Sequence, residues 1–317
     1  MTGYDSVIIT GPTATGKTEL SLKLAEALNG EIISCDSMQV YRGMDTGTAK
    51  ATAQERARAP HHMIDILEPW EDFSVADYCK MSAACVEQIR AKGRLPIFVG
   101  GTGLYVTALK EGFSFPEEPE DRALRAELEE QASTDGGLSA LYGFLLQNDP
   151  EAAASIHMNN KKRVIRAVEL FRLTGLTRAE RNARGNGGSV FVSPAVFAMD
   201  MERSELYRRI DARVDAMMAA GLIDEVRAVN ARCREAGRTL SATAAQAIGY
   251  KELLDLPEGD PAALDAAVAE IKKASRHYAK RQLTWLRKWS WVTWVDALSD
   301  PLGTILSQLS EDTDNLS

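Results

Sequence analysis

The chain has 317 residues, 45% of them hydrophobic and 26% charged, with a formal net charge of −8, which suits a globular protein with one full α/β core and room for a second lobe. No apolar run approaches the roughly 20 residues of a membrane span, the first residues enter a strand without a signal-like segment, and the acidic balance speaks against indiscriminate nucleic-acid binding. Cys35, Cys79, Cys85 and Cys233 show no C-x-x-C spacing, so reduced thiols, no zinc site and a cytoplasmic location are expected.

Residues 6–10 read as a short buried strand. Gly11, Pro12, Thr13, Ala14, Thr15, Gly16, Lys17 and Thr18 follow with G-x-x-x-x-G-K-[ST] spacing. Glycines let such a backbone curl so that its N–H groups face an anion, the lysine adds a mobile positive charge, and the Thr18 hydroxyl can meet Mg²⁺. A diphosphate or triphosphate ligand is implied. A helix over 19–29, stopped by Gly30, leads to a second strand over 31–35, with Asp36 at its carboxyl end. Ligands in open α/β sheets bind beyond the carboxyl ends of strands, so Asp36 is expected beside the phosphate loop.

Residues 37–50 read as a loop with short helical pieces. A helix over 74–92 has Ser74 as N-cap and Asp77 placed for a capping box. A third strand, 96–99, runs into Gly100, Gly101, Thr102 and Gly103, where small residues permit close approach to a ligand and make Thr102 a second donor to the diphosphate. From 116 to 190 the pattern is helical, over 122–131, 137–146 and 160–173, with a polar, mobile stretch at 178–189. A return strand at 196–199, helices over 204–220, 222–232 and 262–289, a last strand at 291–295 and a disordered acidic tail over 310–317 complete the reading. The fold class is therefore α/β, a parallel-sheet core built from 1–115 and 191–317, with a helical insertion at 116–190.

Charge is unevenly spread. Lys161, Lys162, Arg163, Arg166, Arg172, Arg178, Arg181 and Arg184 stand against only Glu169 and Glu180 in their stretch, and Lys272, Lys273, Arg276, Lys280, Arg281, Arg287 and Lys288 have no carboxylate among them. Such islands fit a local polyanion contact, although basic helix faces are often merely solvated. No apolar run ending in aspartate is read as a Mg²⁺-holding strand, and a loop with a single carboxylate suits transfer from a diphosphate better than a motor ATPase cycle. Asp36 would then either help hold the metal or accept a proton from a nucleophile.

Six blocks together resemble the bacterial tRNA dimethylallyltransferase family: the loop at 11–18; Asp36, Ser37, Met38, Gln39, Val40 and Tyr41 with the segment to Lys50; Gly100 to Tyr105; Arg163, Arg166 and Ala167; Gln246, Ala247, Ile248, Gly249, Tyr250 and Lys251; and Ala279, Lys280, Arg281, Gln282, Thr284 and Trp285. They run in the family's order from residue 11 to 285. The resemblance implies a P-loop NTPase-like core whose loop holds dimethylallyl diphosphate with Mg²⁺, and an insertion that clasps a tRNA anticodon stem-loop. The acceptor would be the N6 amine of the adenosine 3′-adjacent to the anticodon, in tRNAs reading codons that start with U. Asp36 would be the base, and Lys17, Thr102 and Arg213 would meet the leaving diphosphate, with Arg209 the other choice for Arg213. By the same resemblance tRNA contacts fall on Asp36 to Gln39, Thr102, Arg125, on Lys162, Arg163, Val164, Ile165 and Arg166, on Gln246 to Lys251, and on Ser275, Arg276, His277, Tyr278, Ala279, Lys280, Arg281 and Gln282. Lys272, Arg276 and Lys280 would share a phosphate-facing helix side. Met158 departs from a usual proline, and Lys162 and His277 from frequent glutamines. A monomer is the expected state. The alternatives are a P-loop kinase, an isopentenyltransferase acting on a free nucleotide, and an RNA-binding NTPase switch.

Overall fold

The computed structural model describes residues 4–111, 121–184, 194–257 and 259–314. The chain divides into two compact units, Met1–Glu111 with Phe191–Ser317, and Gly112–Val190.

The first unit carries β1 (Ser6–Thr10), α1 (Lys17–Leu28), β2 (Gly30–Ser34), α2 (Ala53–Arg58), β3 (His61–His62), α3 (Val75–Ala91), β4 (Leu95–Val99) and α4 (Gly103–Glu111). The second unit holds α5 (Arg122–Gln131), α6 (Gly137–Asn148), α7 (Pro150–Ser155), α8 (Lys161–Thr174) and α9 (Arg178–Arg184). The first unit resumes with β5 (Pro194–Asp200), α10 (Arg203–Ala219), α11 (Leu222–Glu235), α12 (Tyr250–Leu253), α13 (Pro261–Leu286), β6 (Thr293–Asp296) and α14 (Pro301–Asp314).

The six strands form one sheet in the order β3-β2-β4-β1-β5-β6, every pair parallel. Parallel strands are covered on both faces, which is why β1 reads as a continuous apolar run. Val7 and Ile9 pack with Leu20 and Leu24 of α1 and with Ile305 and Leu309 of α14, while the alternate residues Ile8, Ile33 and Phe98 are fully buried on the opposite side. A second core joins Val40, Tyr41 and Met44 to Val214, Leu222, Val226, Tyr250 and Ile271. It fixes the segment after β2 against α10 to α13. Each such side chain contributes about 1.5–3 kcal/mol on burial.

Ser74 and Asp77 form the expected capping box of α3. Other expectations are corrected. The left-handed residue ending α1 is Asn29, with φ 50°. Gly30 instead opens β2, where a Cβ would lie 2.6 Å from the Ile97 side chain. Residues 37–50 contain turns but no helical piece, because Gly43 and Ala49 take positive φ and the Thr46 and Gly47 amides donate to Glu225. The last strand begins at Thr293, two residues later than expected. The acidic tail is helical through residue 314 as part of α14, since Ile305 and Leu309, one turn apart, are buried; residues 315–317 lie outside the described residues. Within 178–189, Arg178–Arg184 is helical, started by a Thr177–Glu180 exchange of hydrogen bonds, and 185–189 lie outside the described residues.

The second unit has its own core of Leu128, Leu141, Leu145, Val164 and Val168. Glu169, a fully enclosed carboxylate of this unit, takes Arg125 at 3.0 Å and Arg166 at 2.9 Å.

Candidate active site

β1 ends in the phosphate loop, β2 in Asp36 and β4 in Gly100–Gly103, so three neighbouring strands deliver their carboxyl ends to one cavity of about 160 Å³. Thr13, Ala14, Gly16, Lys17 and Thr18 line it. Gly11, Pro12 and Thr15 do not; they shape the loop from behind. Gly11 has φ 128°, and a Cβ there would lie 2.6 Å from the Met199 carbonyl oxygen, while the Thr15 hydroxyl donates to Pro12 O at 2.9 Å. Gly16, left-handed, precedes α1 without any side-chain cap, which leaves first-turn N–H groups for an anion.

Lys17 Nζ donates to Gly11 O at 3.0 Å and Pro12 O at 2.6 Å. Burial, then the nearby Arg213 charge, bring its ammonium down to about 7 against the opposing pull of Asp36. Arg213 lines the same cavity, lowered from its ordinary value chiefly by burial. Arg209 is bound to Glu205 at 2.7 Å and lines neither cavity.

A second cavity, of about 350 Å³, adjoins the first and shares Thr13, Asp36, Thr48, Arg213 and Tyr278 with it. Ile210, Val214, Met217, Leu222 and Ile271 give it an apolar wall, and Ser37, Met38, Gly47, Gln246, Ala247, Ile248, Gly249, Lys251, Ser275 and Arg281 complete it. Asp36 is the one carboxylate among the described residues lining either cavity. It is aimed by its own turn, with Oδ1 accepting the Met38 N–H at 2.9 Å. Burial, then the Asp36 charge, hold the Tyr278 phenol well above its ordinary range.

Thr102 does not line either cavity. Its hydroxyl accepts the Ser37 N–H at 3.0 Å, so it braces the Asp36 turn, and it is half-buried beside Tyr278, a wall of both cavities. The neighbouring glycines serve protein packing: a Cβ would lie 2.1 Å from Cys35 O at Gly100, 2.1 Å from Gln282 Nε2 at Gly101 and 2.7 Å from the Trp285 ring at Gly103. Gln39 braces the same region, accepting from Ser34 Oγ at 2.9 Å and donating to Thr48 O at 3.3 Å.

Outside lies a groove of about 530 Å³ lined by His277, Lys280, Arg281, Thr284, Trp285 and Lys288. Of the expected stripe of Lys272, Arg276 and Lys280 on α13, Lys272 is paired with Asp215 and Arg276 with Asp211, each at 2.6 Å, and Lys280 lines the groove. Lys280, Arg281 and Lys288 have no carboxylate within ion-pair distance among the described residues, and they carry the open positive charge.

Several expected RNA contacts face inward. Val164, Ile165, Ala247, Tyr250 and Ala279 are buried. Gln282, only 8% exposed, is hydrogen-bonded to backbone on both sides. Arg125 and Arg166 hold Glu169, whereas Lys162 and Arg163 at the start of α8 are exposed.

The sequence reading missed two groups. Glu225 accepts from the Thr46 and Gly47 amides and from the Tyr250 hydroxyl, and the Thr46–Glu225 separation gives no local signal for that. β5 is in fact an apolar run ending in Asp200, visible in the sequence, but this carboxylate accepts the Met201 N–H and pairs with Arg287 at 3.2 Å, away from both cavities.

A Mg²⁺ ion fits one protein oxygen here. Thr18 lines the cavity and its hydroxyl makes no hydrogen bond among the described residues, and no group of three or more His, Cys, Asp or Glu among them could hold a metal without a ligand's help. Mg²⁺ commonly takes one or two protein oxygens and fills its shell with phosphate oxygens and water. No helix of the described residues is long and apolar enough to cross a membrane.

The sequence profile described as IPP transferase matches residues 39–289, and that described as isopentenyl transferase matches residues 5–62. A tRNA dimethylallyltransferase of Geobacillus thermodenitrificans is 48% identical over 295 residues, which span 93% of this chain and 91% of that protein. Its counterpart in Bacillus licheniformis is 47% identical over 293 residues, 92% and 90% of the two chains. Among solved structures, the tRNA isopentenylpyrophosphate transferase of Bacillus halodurans superposes with a TM-score of 0.68 at 43% identity over 98% of both chains. A eukaryotic dimethylallyltransferase acting on tRNA gives a TM-score of 0.79 at 26% identity, over 98% of this chain and 79% of that one. With a parallel sheet, a phosphate loop and a lone acid at the next strand's tip, and with these likenesses along nearly its whole length, this chain belongs to the IPP transferase family.

Proposed function

We propose that the protein transfers a dimethylallyl group from dimethylallyl diphosphate to tRNA, at the N6 amine of the adenosine 3′-adjacent to the anticodon in tRNAs reading codons that start with U, and releases diphosphate. The carrying observation is the position of Asp36, the single carboxylate shared by a cationic phosphate cavity and an apolar one. The names of the relatives supply the donor and the RNA class.

The chemistry follows from the residues. An exocyclic adenine amine is a weak nucleophile because its lone pair is drawn into the ring, so Asp36 takes its proton as the N–C bond forms. The allylic C–O bond breaks with its electron pair going to the bridging oxygen of diphosphate. Preorganised cations stabilise that developing charge, and here Lys17 and Arg213 with the loop amides supply them. The apolar wall of Ile210, Val214 and Met217 receives the five-carbon chain and keeps water from the allylic carbon. The Thr18 hydroxyl would help hold a Mg²⁺ ion, which would supply further positive charge to the leaving group. To reach Asp36 the adenine must leave its stack, and the unpaired cations Lys280, Arg281 and Lys288 hold the flanking phosphates. The protein works as a cytoplasmic monomer.

The test offers labelled dimethylallyl diphosphate with tRNA or with AMP as acceptor, and γ-labelled ATP in parallel. Label from the allylic donor should enter tRNA alone. Label in AMP, or phosphate transferred from ATP, contradicts the proposal.

A further inference from the structure

We infer that Gln282 is a positioning residue that couples the RNA-facing helix to the phosphate loop, so that acceptor and donor bind cooperatively through one side-chain amide. The inference rests on the proposed function and assigns Gln282 to the loop, not to the RNA.

Gln282 is nearly enclosed, at 8% exposure. Its Oε1 accepts the Thr13 N–H at 3.1 Å, and its Nε2 donates to Gly101 O at 2.9 Å. One end must accept and the other must donate, which the glutamine amide does with its oxygen and its NH2 group. Glutamate would set an acceptor against the Gly101 carbonyl, and leucine would leave both backbone groups unmatched. The fit is close: a Cβ on Gly101 would lie 2.1 Å from Nε2. Thr13 is a wall of both cavities, so its amide belongs to the part of the loop that a diphosphate must meet.

The helix bearing Gln282 has a second, opposite duty. Lys280, Arg281, Thr284 and Lys288, on or just beyond α13, line the outer groove. A helix is rigid over these few residues, so holding its outer side also holds Gln282 against Thr13. RNA bound in the groove therefore favours the loop conformation in which the Thr13 amide is fixed, and diphosphate bound in that loop returns the same preference to RNA, as linkage requires.

The experiment measures the affinity of inorganic diphosphate with Mg²⁺, with and without a tRNA anticodon stem-loop, for the wild type, Gln282→Leu and Gln282→Glu. In the wild type the stem-loop should tighten diphosphate by at least about fivefold. In Gln282→Leu that factor should fall to about one, whatever the change in either affinity alone, and Gln282→Glu should lie between. Wild-type factors near one, or an undiminished factor in Gln282→Leu, overturn the inference. As a measurement that needs no variant, the Thr13 amide resonance of threonine-labelled wild type should shift when the stem-loop binds; an unmoved resonance also overturns it. No turnover is required. Absence of stem-loop binding would sink the proposed function as well, whereas stem-loop binding without coupling sinks only the inference.

Discussion

In the proposed reaction Asp36 is the base, and its carboxylate lines both cavities with Arg213, near Lys17 and an apolar wall. Asp36→Asn keeps the shape and the turn-forming oxygen, so diphosphate affinity should hold while turnover falls by about 10²- to 10⁴-fold; unchanged turnover would remove Asp36 from the chemistry. Lys17 gives a second test. Burial and Arg213 bring its ammonium down to about 7, so between that value and its ordinary 10.5 the unfolded chain binds more protons than the folded one. Its contribution to stability therefore rises with pH across that window. A bound diphosphate pulls the other way, restoring the proton, so binding at about pH 8.5 should take up protons. Calorimetric heats that do not vary with the buffer's ionisation heat would contradict this. At this scale the phosphate loop and Asp36 were legible, because both are short local patterns at strand ends. The hydrogen bond of Thr102 to the Ser37 amide was not, since a hydroxyl in a glycine turn gives no sign of a partner 65 residues away.

Among the elements, α13 shows how packing redistributes charge. Its Lys272 and Arg276 are neutralised by Asp215 and Asp211 of α10, while Lys280 and Lys288 face the outer groove. Replacing Lys280 and Lys288 by alanine should lower the slope of log affinity for tRNA against log salt by roughly 1.4 to 1.8, and replacing Lys272 and Arg276 should change it by less than about half a unit. Equal changes for the two pairs would return the basic surface to the whole helix. Glu225 ties α11 to the turn at Thr46–Gly47 and to Tyr250 of α12. Glu225→Ala strands these donors and should cost about 2–3 kcal/mol in urea unfolding; a loss near zero would mean the clamp holds nothing. Burial opposes ionisation of this carboxyl, but the Gly47 amide and the Tyr250 hydroxyl hold it below the ordinary range. The stabilisation is thus full above the ordinary carboxylate value and fades as pH falls through the lowered one. Helix periodicity and the Ser74 cap were readable in the sequence. The short β3 and α12 were not, because two to four residues carry no period, and α14 was obscured by an acidic composition that its buried Ile305 and Leu309 override.

For the molecule as a whole, the strand order places β1 between β4 and β5, and the phosphate loop opens at that reversal of direction across the sheet, where open α/β sheets bind ligands. Alternating strand and helix patterns foretold this parallel sheet. Its order was not foretold, since it rests on pairings between residues as far apart as Ile8 and Val196. The sheet gathers the phosphate loop and Asp36, and the second core sets the apolar wall beside them. The most direct test incubates purified protein with dimethylallyl diphosphate, Mg²⁺ and unmodified tRNA, then maps the digested RNA by mass spectrometry. One five-carbon unit should appear on the adenosine 3′-adjacent to the anticodon with the wild type and be nearly absent with Asp36→Asn. Unmodified tRNA, or a prenyl group on another nucleoside, would contradict the account.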